Sequence, residues 1–243
     1  MPYFSHALDL LLGDTGWGRN LLFGLLRTIE IALGAYSLGL LIGLVGAYGK
    51  LYVGGAVGNF FNLYTTLVRA VPELILILML YYAGTDLLNQ FLIWTGCGRV
   101  DINGLAAGVL VLGLVQGAYS TEVLRGAIQA VPQGQIEAGR AYGMHPLLLL
   151  RRITLPAMLP HAIPGLGNLW LTATKDTTLL AVVGFSELAL ETRQAAGVTK
   201  AYFAFFSAAG ALYYAISILS ILAIGKIDRW ARRGTDVQKA RVQ

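Results

Sequence analysis

Long apolar segments separated by short polar ones set the expected architecture of this chain. A helix that crosses a bilayer needs about 20 mainly apolar residues, and five segments meet that length: 21–49, 60–84, 102–130, 157–186 and 201–226. Glycine and polar residues interrupt segments 1–20 and 85–103, and we expect Leu87–Trp94 to lie in the membrane interface. The pattern predicts an all-α integral membrane protein with five transmembrane helices, forming a single domain over residues 1–243.

Composition supports this class and excludes others. Charged residues make up 13% of the chain, about half of the ~25% found in soluble domains. The single Cys97 excludes a disulfide framework, and we interpret it as a small apolar filler. No short basic-then-apolar segment with a cleavage site opens the chain, so we expect no removable signal peptide. The net charge of +5 forms no basic stripe interleaved with aromatics, so we expect no nucleic-acid partner.

The distribution of lysine and arginine predicts the orientation. Arg140, Arg151 and Arg152 lie in segment 131–156, and an excess of basic residues marks a cytoplasmic loop. With that assignment, twelve of the 18 basic residues lie in cytoplasmic segments, five lie outside, and Lys175 lies within a span. We therefore expect the N-terminus outside and the C-terminus in the cytoplasm.

Segment 131–156 is typical of two short helices joined by a tight corner. Pro132 suits the first turn of a helix, Gly143 suits the left-handed position that ends one, and Pro146 suits the start of the next. Small residues leave the first helix thin along one side, so another protein surface could approach its backbone; these are Ala138, Gly139 and Ala141.

Seven residues of this corner stand at fixed spacing: Glu137-Ala138-Gly139, Gly143, Ile153 and Leu155-Pro156. The pattern resembles the EAA loop of bacterial ABC-importer permeases, although that family usually has alanine where this chain has Gly139, which weakens helix propensity by up to ~1 kcal/mol. The resemblance implies a cytoplasmic coupling-helix loop between helices 3 and 4 that docks into a cleft on an ABC ATPase. The implied ATPase-coupling residues are Glu137, Ala138, Gly139, Arg140, Gly143, Met144 and His145. The alternative is an ordinary amphipathic hairpin on the membrane surface.

Charge at membrane depth indicates where chemistry could occur. Among the charged residues that fall within predicted spans, five stand out: Glu30, Glu73, Glu122, Lys175 and Asp176. Each would cost about 2.5–3.5 kcal/mol at a lipid-facing helix centre, so most must face a bundle interior or a wet cavity. One interpretation is a polar translocation path, with the acids binding a cationic or amino group and Lys175 binding a carboxylate. The other is structural ion pairing, of Glu122 with Arg125 and of Glu73 with Arg69. For Lys175 and Asp176 we favour the path.

Three further elements narrow the resemblance: Arg69-Ala70-Val71-Pro72-Glu73, Ala118-Tyr119 with Glu122 and Arg125-Gly126, and Lys175-Asp176-Thr177. They resemble the polar amino acid subfamily of these permeases, in particular the membrane subunits of histidine/lysine/arginine/ornithine, arginine and opine importers, although Ala70 replaces that subfamily's usual glycine. The implied substrate/pathway residues are Glu73, Glu122, Lys175, Asp176 and Thr177.

This resemblance implies a permease subunit of the bacterial inner membrane, with its N-terminus periplasmic, that imports a polar, basic amino acid or an opine. The implied partners are a cytoplasmic ABC ATPase dimer, a second permease subunit (identical or related), a periplasmic amino-acid-binding protein and membrane lipid. We expect no enzyme activity, metal or cofactor in the chain itself, and the resemblance implies that the partner ATPase binds ATP and Mg. The nearest match to a phosphate-binding loop, Gly43 to Gly49-Lys50, has the wrong interval and is followed by Leu51.

Two other functions stay open at this stage. An ion-coupled secondary amino acid transporter would use the intramembrane acids as proton carriers, but it would need an inverted internal repeat, which we do not find. An ABC permease for a different small solute would share the loop and differ in the chemistry of helix 4.

Two backbone patterns concern packing. Pro156, Pro160 and Pro164 are expected to kink or partly unwind the start of helix 4. Pairs of glycines four residues apart let helices pack closely, within the subunit or at a dimer seam; these are Gly39/Gly43, Gly104/Gly108 and Gly113/Gly117.

Overall fold

The structure, a computed structural model, describes residue 10, residues 16–96, residue 98 and residues 104–233. This part of the chain is built from α-helices without any strand: α1 Gly18–Tyr48, α2 Gly55–Ala70, α3 Glu73–Trp94, α4 Gly104–Gln129, α5 Gln133–Ala141, α6 Pro146–Leu149, α7 Leu155–Asp176, α8 Leu188–Thr199 and α9 Tyr202–Arg232. Two π-helical turns, Gly49–Val53 and Leu150–Thr154, and one 3₁₀ segment, Thr177–Val183, complete the described helical structure. The all-α prediction is confirmed.

Helices α1 and α4 form the centre because glycines let their backbones approach. A Cβ added at Gly39 would lie 2.7 Å from the Cβ of Gln116, and one added at Gly43 would lie 2.5 Å from the Cβ of Ser120. In the other direction, Gly113 faces Leu38 of α1 at a similar distance. The glycine pairs therefore pack helices within the subunit, which resolves the alternative left open by their spacing.

Apolar clusters attach the remaining helices to this centre. Ile31 and Leu112 are buried together with Ile77 of α3 and with Leu180 and Phe185 beyond α7. A second cluster joins the start of α1 to α8 and α9, and a third joins the end of α4 to α7. The ends of α3, α4 and α7 that carry charged residues are held in place by this packing.

Four helical segments are long and apolar enough to cross a membrane: Gly18–Val53, Glu73–Trp94, Gly104–Gln129 and Tyr202–Arg232. The fifth predicted span, 157–186, corresponds to α7 and the 3₁₀ segment after it, and it is not among these four. Pro160 and Pro164 lie inside α7, which continues to Asp176. The local unwinding expected from the prolines is limited to the π-helical turn upstream, Leu150–Thr154.

The predicted span 60–84 is wrong as a single helix. The chain breaks between α2 and α3, where Val71 is extended (φ −100°, ψ 138°) because the following proline disfavours helical geometry. Helix α3 runs unbroken from Glu73 through Leu87–Trp94, so these residues continue a helix that is long enough to span. Their position in the membrane interface stays a prediction. The start of the predicted third span (102 and 103), Cys97 and the C-terminal segment 234–243 lie outside the described residues.

Candidate functional site

Two carboxylates from different helices meet near the centre of the bundle. Glu73 is the first residue of α3, directly after the break at Pro72, and Asp176 is the last residue of α7. Both are half-buried, and their carboxyl groups interact electrostatically. Within residues 16–96 and 104–233, no lysine or arginine forms an ion pair with either of them. The site is therefore an acidic pair with no basic group in direct contact in the described part of the chain, although Lys175 interacts electrostatically with Asp176.

Helix α4 supplies polar groups beside this pair. The amide Nε2 of Gln116 donates to Oδ2 of Asp176 at 3.4 Å, and Tyr119 lies within electrostatic reach of Glu73 and Asp176. The other amide atom, Oε1 of Gln116, is buried and accepts no hydrogen bond from the described part of the chain. We did not predict Gln116 as a site residue. Its signal was a glutamine inside the apolar segment 104–121.

The two residues flanking Asp176 have different environments. Lys175 is exposed, and among the described residues it forms no ion pair with a carboxylate. Thr177 is fully buried, and its hydroxyl donates to the carbonyl oxygen of Thr174 at 2.9 Å. The hydroxyl of Thr177 therefore supports the start of the 3₁₀ segment, whereas Lys175 is accessible to an anionic group.

Glu122 lies in a different environment, a cation-rich cluster that we name the Glu122 cluster (Glu122, Lys50, Arg125 and Arg69). Its Oε2 accepts hydrogen bonds from Nε and Nη2 of Arg125 at 3.1 and 2.8 Å, and its Oε1 accepts one from Nζ of Lys50. Lys50 also donates to the hydroxyl oxygen of Thr65 at 2.6 Å. The predicted pair of Glu122 with Arg125 is confirmed. The predicted pair of Glu73 with Arg69 is wrong, since Arg69 lies 4.0 Å from Glu122 instead.

The fifth predicted intramembrane charge, Glu30, is exposed. Its Oε2 accepts a hydrogen bond from Nη1 of Arg27 at 2.8 Å, and the side chains of both residues are more than half exposed. Glu30 therefore lies on the outside of the bundle and takes no part in the acidic pair.

The corner formed by α5 and α6 has the geometry expected for a tight turn. Gly143 has a φ of +74°, the left-handed region that glycine tolerates best. His145 caps α6, because its Nδ1 accepts a hydrogen bond from the backbone N–H of Leu148. Pro146 is the first residue of α6, as predicted.

Gly139 faces into the corner, so the expectation that it presents a thin side to another protein needs correction. A Cβ at Gly139 would lie 2.5 Å from Cδ1 of Leu149 and 2.6 Å from Cδ1 of Ile153. A glycine here lets the two arms of the corner close on each other. Met144 is half-buried beside it, while the remaining predicted coupling residues are exposed: Glu137, Ala138, Arg140, Gly143 and His145.

The described residues contain no group of three or more histidine, cysteine, aspartate and glutamate side chains placed to hold a metal ion. The groups present at the acidic pair are the carboxyls of Glu73 and Asp176, the amide of Gln116 and the phenol of Tyr119. Such groups bind and release a cation or an amine.

Comparison with known proteins gives consistent similarities. The family described as binding-protein-dependent transport system inner membrane component matches residues 37–233. The octopine transport system permease protein OccQ of Agrobacterium tumefaciens (strain Ach5) is 38% identical over 86% of this chain and 88% of its own length. The histidine/lysine/arginine/ornithine transport system permease protein HisQ of Escherichia coli (strain K12) is 38% identical over 84% of this chain and 90% of its own. A chain from the crystal structure of an amino acid ABC transporter with histidines superposes with a TM-score of 0.75 at 26% identity, covering 90% of this chain and 97% of that one.

Proposed function

The chain belongs to the family of binding-protein-dependent transport system inner membrane components and is a permease subunit of an ABC importer, and we propose that it carries a basic amino acid or an opine derived from one. The similar permeases OccQ and HisQ are named for octopine and for histidine, lysine, arginine and ornithine. These solutes carry a cationic group beside a carboxylate.

The observation that carries this proposal is the acidic pair of Glu73 and Asp176. A guanidinium, imidazolium or ammonium group placed between the two carboxylates relieves their mutual repulsion and gains charge-assisted hydrogen bonds. The exposed ammonium of Lys175 is available for the substrate carboxylate.

The test is uptake of labelled arginine by the reconstituted transporter, with Asp176→Asn and Glu73→Gln compared with Glu30→Gln. Losing a hydrogen bond to a charged group costs about 1.5–3 kcal/mol, so substrate should bind roughly 10–100-fold more weakly in the first two variants. Glu30→Gln removes the same charge at the exposed pair with Arg27 and should transport normally. Unchanged uptake in both site variants would exclude the acidic pair as the binding site.

We further propose five spans, with α7 and its 3₁₀ extension as the fourth, which place the N-terminus in the periplasm and the C-terminus in the cytoplasm. The excess of arginine around α5 and α6 and the basic end of α9 support this orientation. The proposed assembly contains a second permease subunit, identical or related, a periplasmic binding protein and two ABC ATPases that bind ATP and Mg.

In this proposal the corner of α5 and α6 is the EAA coupling element that docks into the ATPase. Closure of the ATPase pair on ATP moves the corner, which turns α4 and α7 and opens the acidic pair to alternate sides of the membrane. The exposure of Glu137 and Arg140 and the rigid turn at Gly143 support this role. Ligand and ATP bias the two states only through contacts that differ between them.

Two variants test the coupling role. Glu137→Lys reverses a charge on the exposed face, and Gly143→Pro is incompatible with a φ of +74° because proline requires about −65°. Both should insert into the membrane, lose the ATPase on purification and lose transport. Gly134→Ala in α5, where an added Cβ meets no atom, is the matched control and should behave normally. Transport by either test variant would contradict the coupling role.

A further inference from the structure

An apolar groove, whose lining includes neither Glu73 nor Asp176, runs between α7 and α9. Its volume is about 560 Å³, within the ~300–1,000 Å³ typical of ligand pockets. Residues one helical turn apart on each helix form the walls, and one residue of α1 closes the inner side. The groove is lined by Tyr36, Ile163, Leu166, Gly167, Trp170, Leu219, Ser220, Ala223, Ile224 and Ile227.

The polar atoms in this groove already have partners. The hydroxyl of Tyr36 donates to the carbonyl oxygen of Leu166 at 3.1 Å, and Nε1 of Trp170 donates to Oγ of Ser220 at 2.9 Å. The rings of Tyr36 and Trp170 pack edge to face. The groove thus presents hydrocarbon and aromatic surface, which favours an apolar ligand over water.

The groove opens toward the outer surface of the bundle. Leu219 and Ile227 on its rim are 67% and 51% exposed. Helix α9 is a candidate membrane span, and most of its apolar window is uncovered by the rest of the chain. Lipid hydrocarbon therefore has direct access to the opening.

At the C-terminal end of the groove, the stripe of α9 that adjoins the lining becomes basic. Residues 219, 223, 226, 230 and 233 follow one another at spacings of four and three, which places them in one stripe along the helix. Lys226 and Arg233 are exposed and form no ion pair with any described carboxylate, while Arg232 already engages Asp228. Trp230 lies between the two cations and is 60% exposed, as tryptophans at a membrane interface are.

We propose that the groove between α7 and α9 binds one acyl chain of an anionic phospholipid whose phosphate-bearing headgroup lies at Lys226 and Arg233. The apolar walls match the chain, and the stripe places two cations, without an ion pair among the described residues, at the C-terminal end of the groove. A second copy of this chain is a poorer occupant. A twofold axis along the membrane normal would bring an identical row of cations to the same depth, where like charges repel.

The test uses the fluorescence of Trp170, which lines the groove. Of the four tryptophans, Trp17, Trp94 and Trp230 are replaced by phenylalanine in the full chain, purified with its complex and reconstituted into nanodiscs. Phosphatidylglycerol or phosphatidylcholine with identical brominated chains is then titrated in, because bromine quenches an indole only at short range. We expect phosphatidylglycerol to quench Trp170 at a lower mole fraction than phosphatidylcholine does. The difference should be about fivefold for each cation that contacts the headgroup.

Three variants connect the quenching to the groove. In the double variant Lys226→Gln and Arg233→Gln, phosphatidylglycerol should quench Trp170 only at the mole fraction that phosphatidylcholine requires. Lys200→Gln, an exposed cation at the opposite end of α9, is the matched control and should keep the preference. Ala223→Phe fills the groove and should weaken quenching by both lipids. Identical quenching curves for the two lipids, in the chain that keeps only Trp170 and both cations, would overturn the proposal. An absence of quenching by either lipid would overturn it too, because it would show that protein covers the groove.

Discussion

The Glu122 cluster and the acidic pair of Glu73 and Asp176 both contain half-buried carboxylates, but in opposite electrostatic settings. Glu122 is in contact with Lys50 and Arg125, with Arg69 at 4.0 Å. Glu73 and Asp176 face each other and the amide of Gln116. A carboxylate that is already neutralised holds helices together, whereas a pair without a cation is available for a cationic substrate.

The difference arises from backbone continuity rather than from sequence spacing. Glu122 and Arg125 lie three residues apart on unbroken α4, so their side chains share one face. Arg69 and Glu73 are four residues apart, but Val71 and Pro72 break the helix between them. The break turns Arg69 toward the Glu122 cluster and leaves Glu73 at the start of a new helix.

The largest expected effect is the loss of stability on breaking the Glu122 cluster. Glu122→Gln leaves the ammonium of Lys50, only 7% exposed, without its counter-charge, and removing one partner of a buried ion pair costs about 3 kcal/mol or more. Thermal unfolding of the purified protein in detergent measures the change. Glu30→Gln is the control, since an exposed pair contributes less than about 1 kcal/mol. Equal unfolding temperatures for the two variants would show that the Glu122 cluster stabilises the fold no more than the exposed pair of Glu30 and Arg27 does.

The next effect concerns the α1–α4 contact that brings Lys50 to Glu122. Gly43→Ala places a methyl 2.5 Å from Cβ of Ser120 and 2.9 Å from its carbonyl carbon, and overpacking of this kind costs about 1–3 kcal/mol. The loss should be less than additive with Glu122→Gln, because both variants weaken one contact. Gly210→Ala, where an added Cβ meets no atom, should unfold like the parent or slightly later. Full additivity would indicate that the contact and the cluster are independent.

Neutralising the acidic pair should have a smaller effect on stability than on transport. Asp176→Asn removes the repulsion from Glu73 and can still accept from the amide of Gln116, so we expect stability within about 1 kcal/mol of the parent. The same thermal unfolding assay measures it. A loss as large as that of Glu122→Gln would mean that this pair, too, is structural.

The smallest effect concerns a third acid, Glu187, which lies between predicted spans at the start of α8. Its carboxylate accepts from the backbone N–H of Leu190 at 2.9 Å and from the hydroxyls of Tyr213 and Thr28 at 3.0 and 3.3 Å. Burial raises the pKa of Glu187 above its ordinary 4.5, although these hydrogen bonds oppose the shift.

The pH dependence follows from the direction of that shift. The folded state holds the proton of Glu187 to higher pH than the unfolded state. The contribution of Glu187 to stability is therefore fully present below pH 4.5 and is lost as pH rises through the raised pKa. Unfolding temperatures measured from below pH 4.5 upward should fall with pH in the parent protein and change less with pH in Glu187→Gln. Parallel profiles in the two proteins would show that Glu187 does not contribute to the pH dependence.

The sequence predicted much of the local structure because local signals dominate there. Apolar length located three of the four candidate spans and only part of the one at Glu73–Trp94. Gly143 and Pro146 located the corner, since each acts through its own backbone geometry. The expectations that failed involve partners distant in the chain. The pattern predicts that Gly139 contacts another protein. In the structure it contacts Leu149 and Ile153, which are ten and fourteen residues away in the sequence.

By itself, the sequence determined that this is a helical membrane protein, where most of its helices lie and that it resembles importer permeases, because hydrophobic length and short motifs act within one segment. Only the tertiary structure decided which charges are neutralised. Lys50 and Glu122 are 72 residues apart and meet because glycines let α1 and α4 pack closely. Glu73 and Asp176 meet because two helices begin and end at the same place in the bundle. Electrostatic partnership depends on distance in space, which residue spacing encodes only along an unbroken helix.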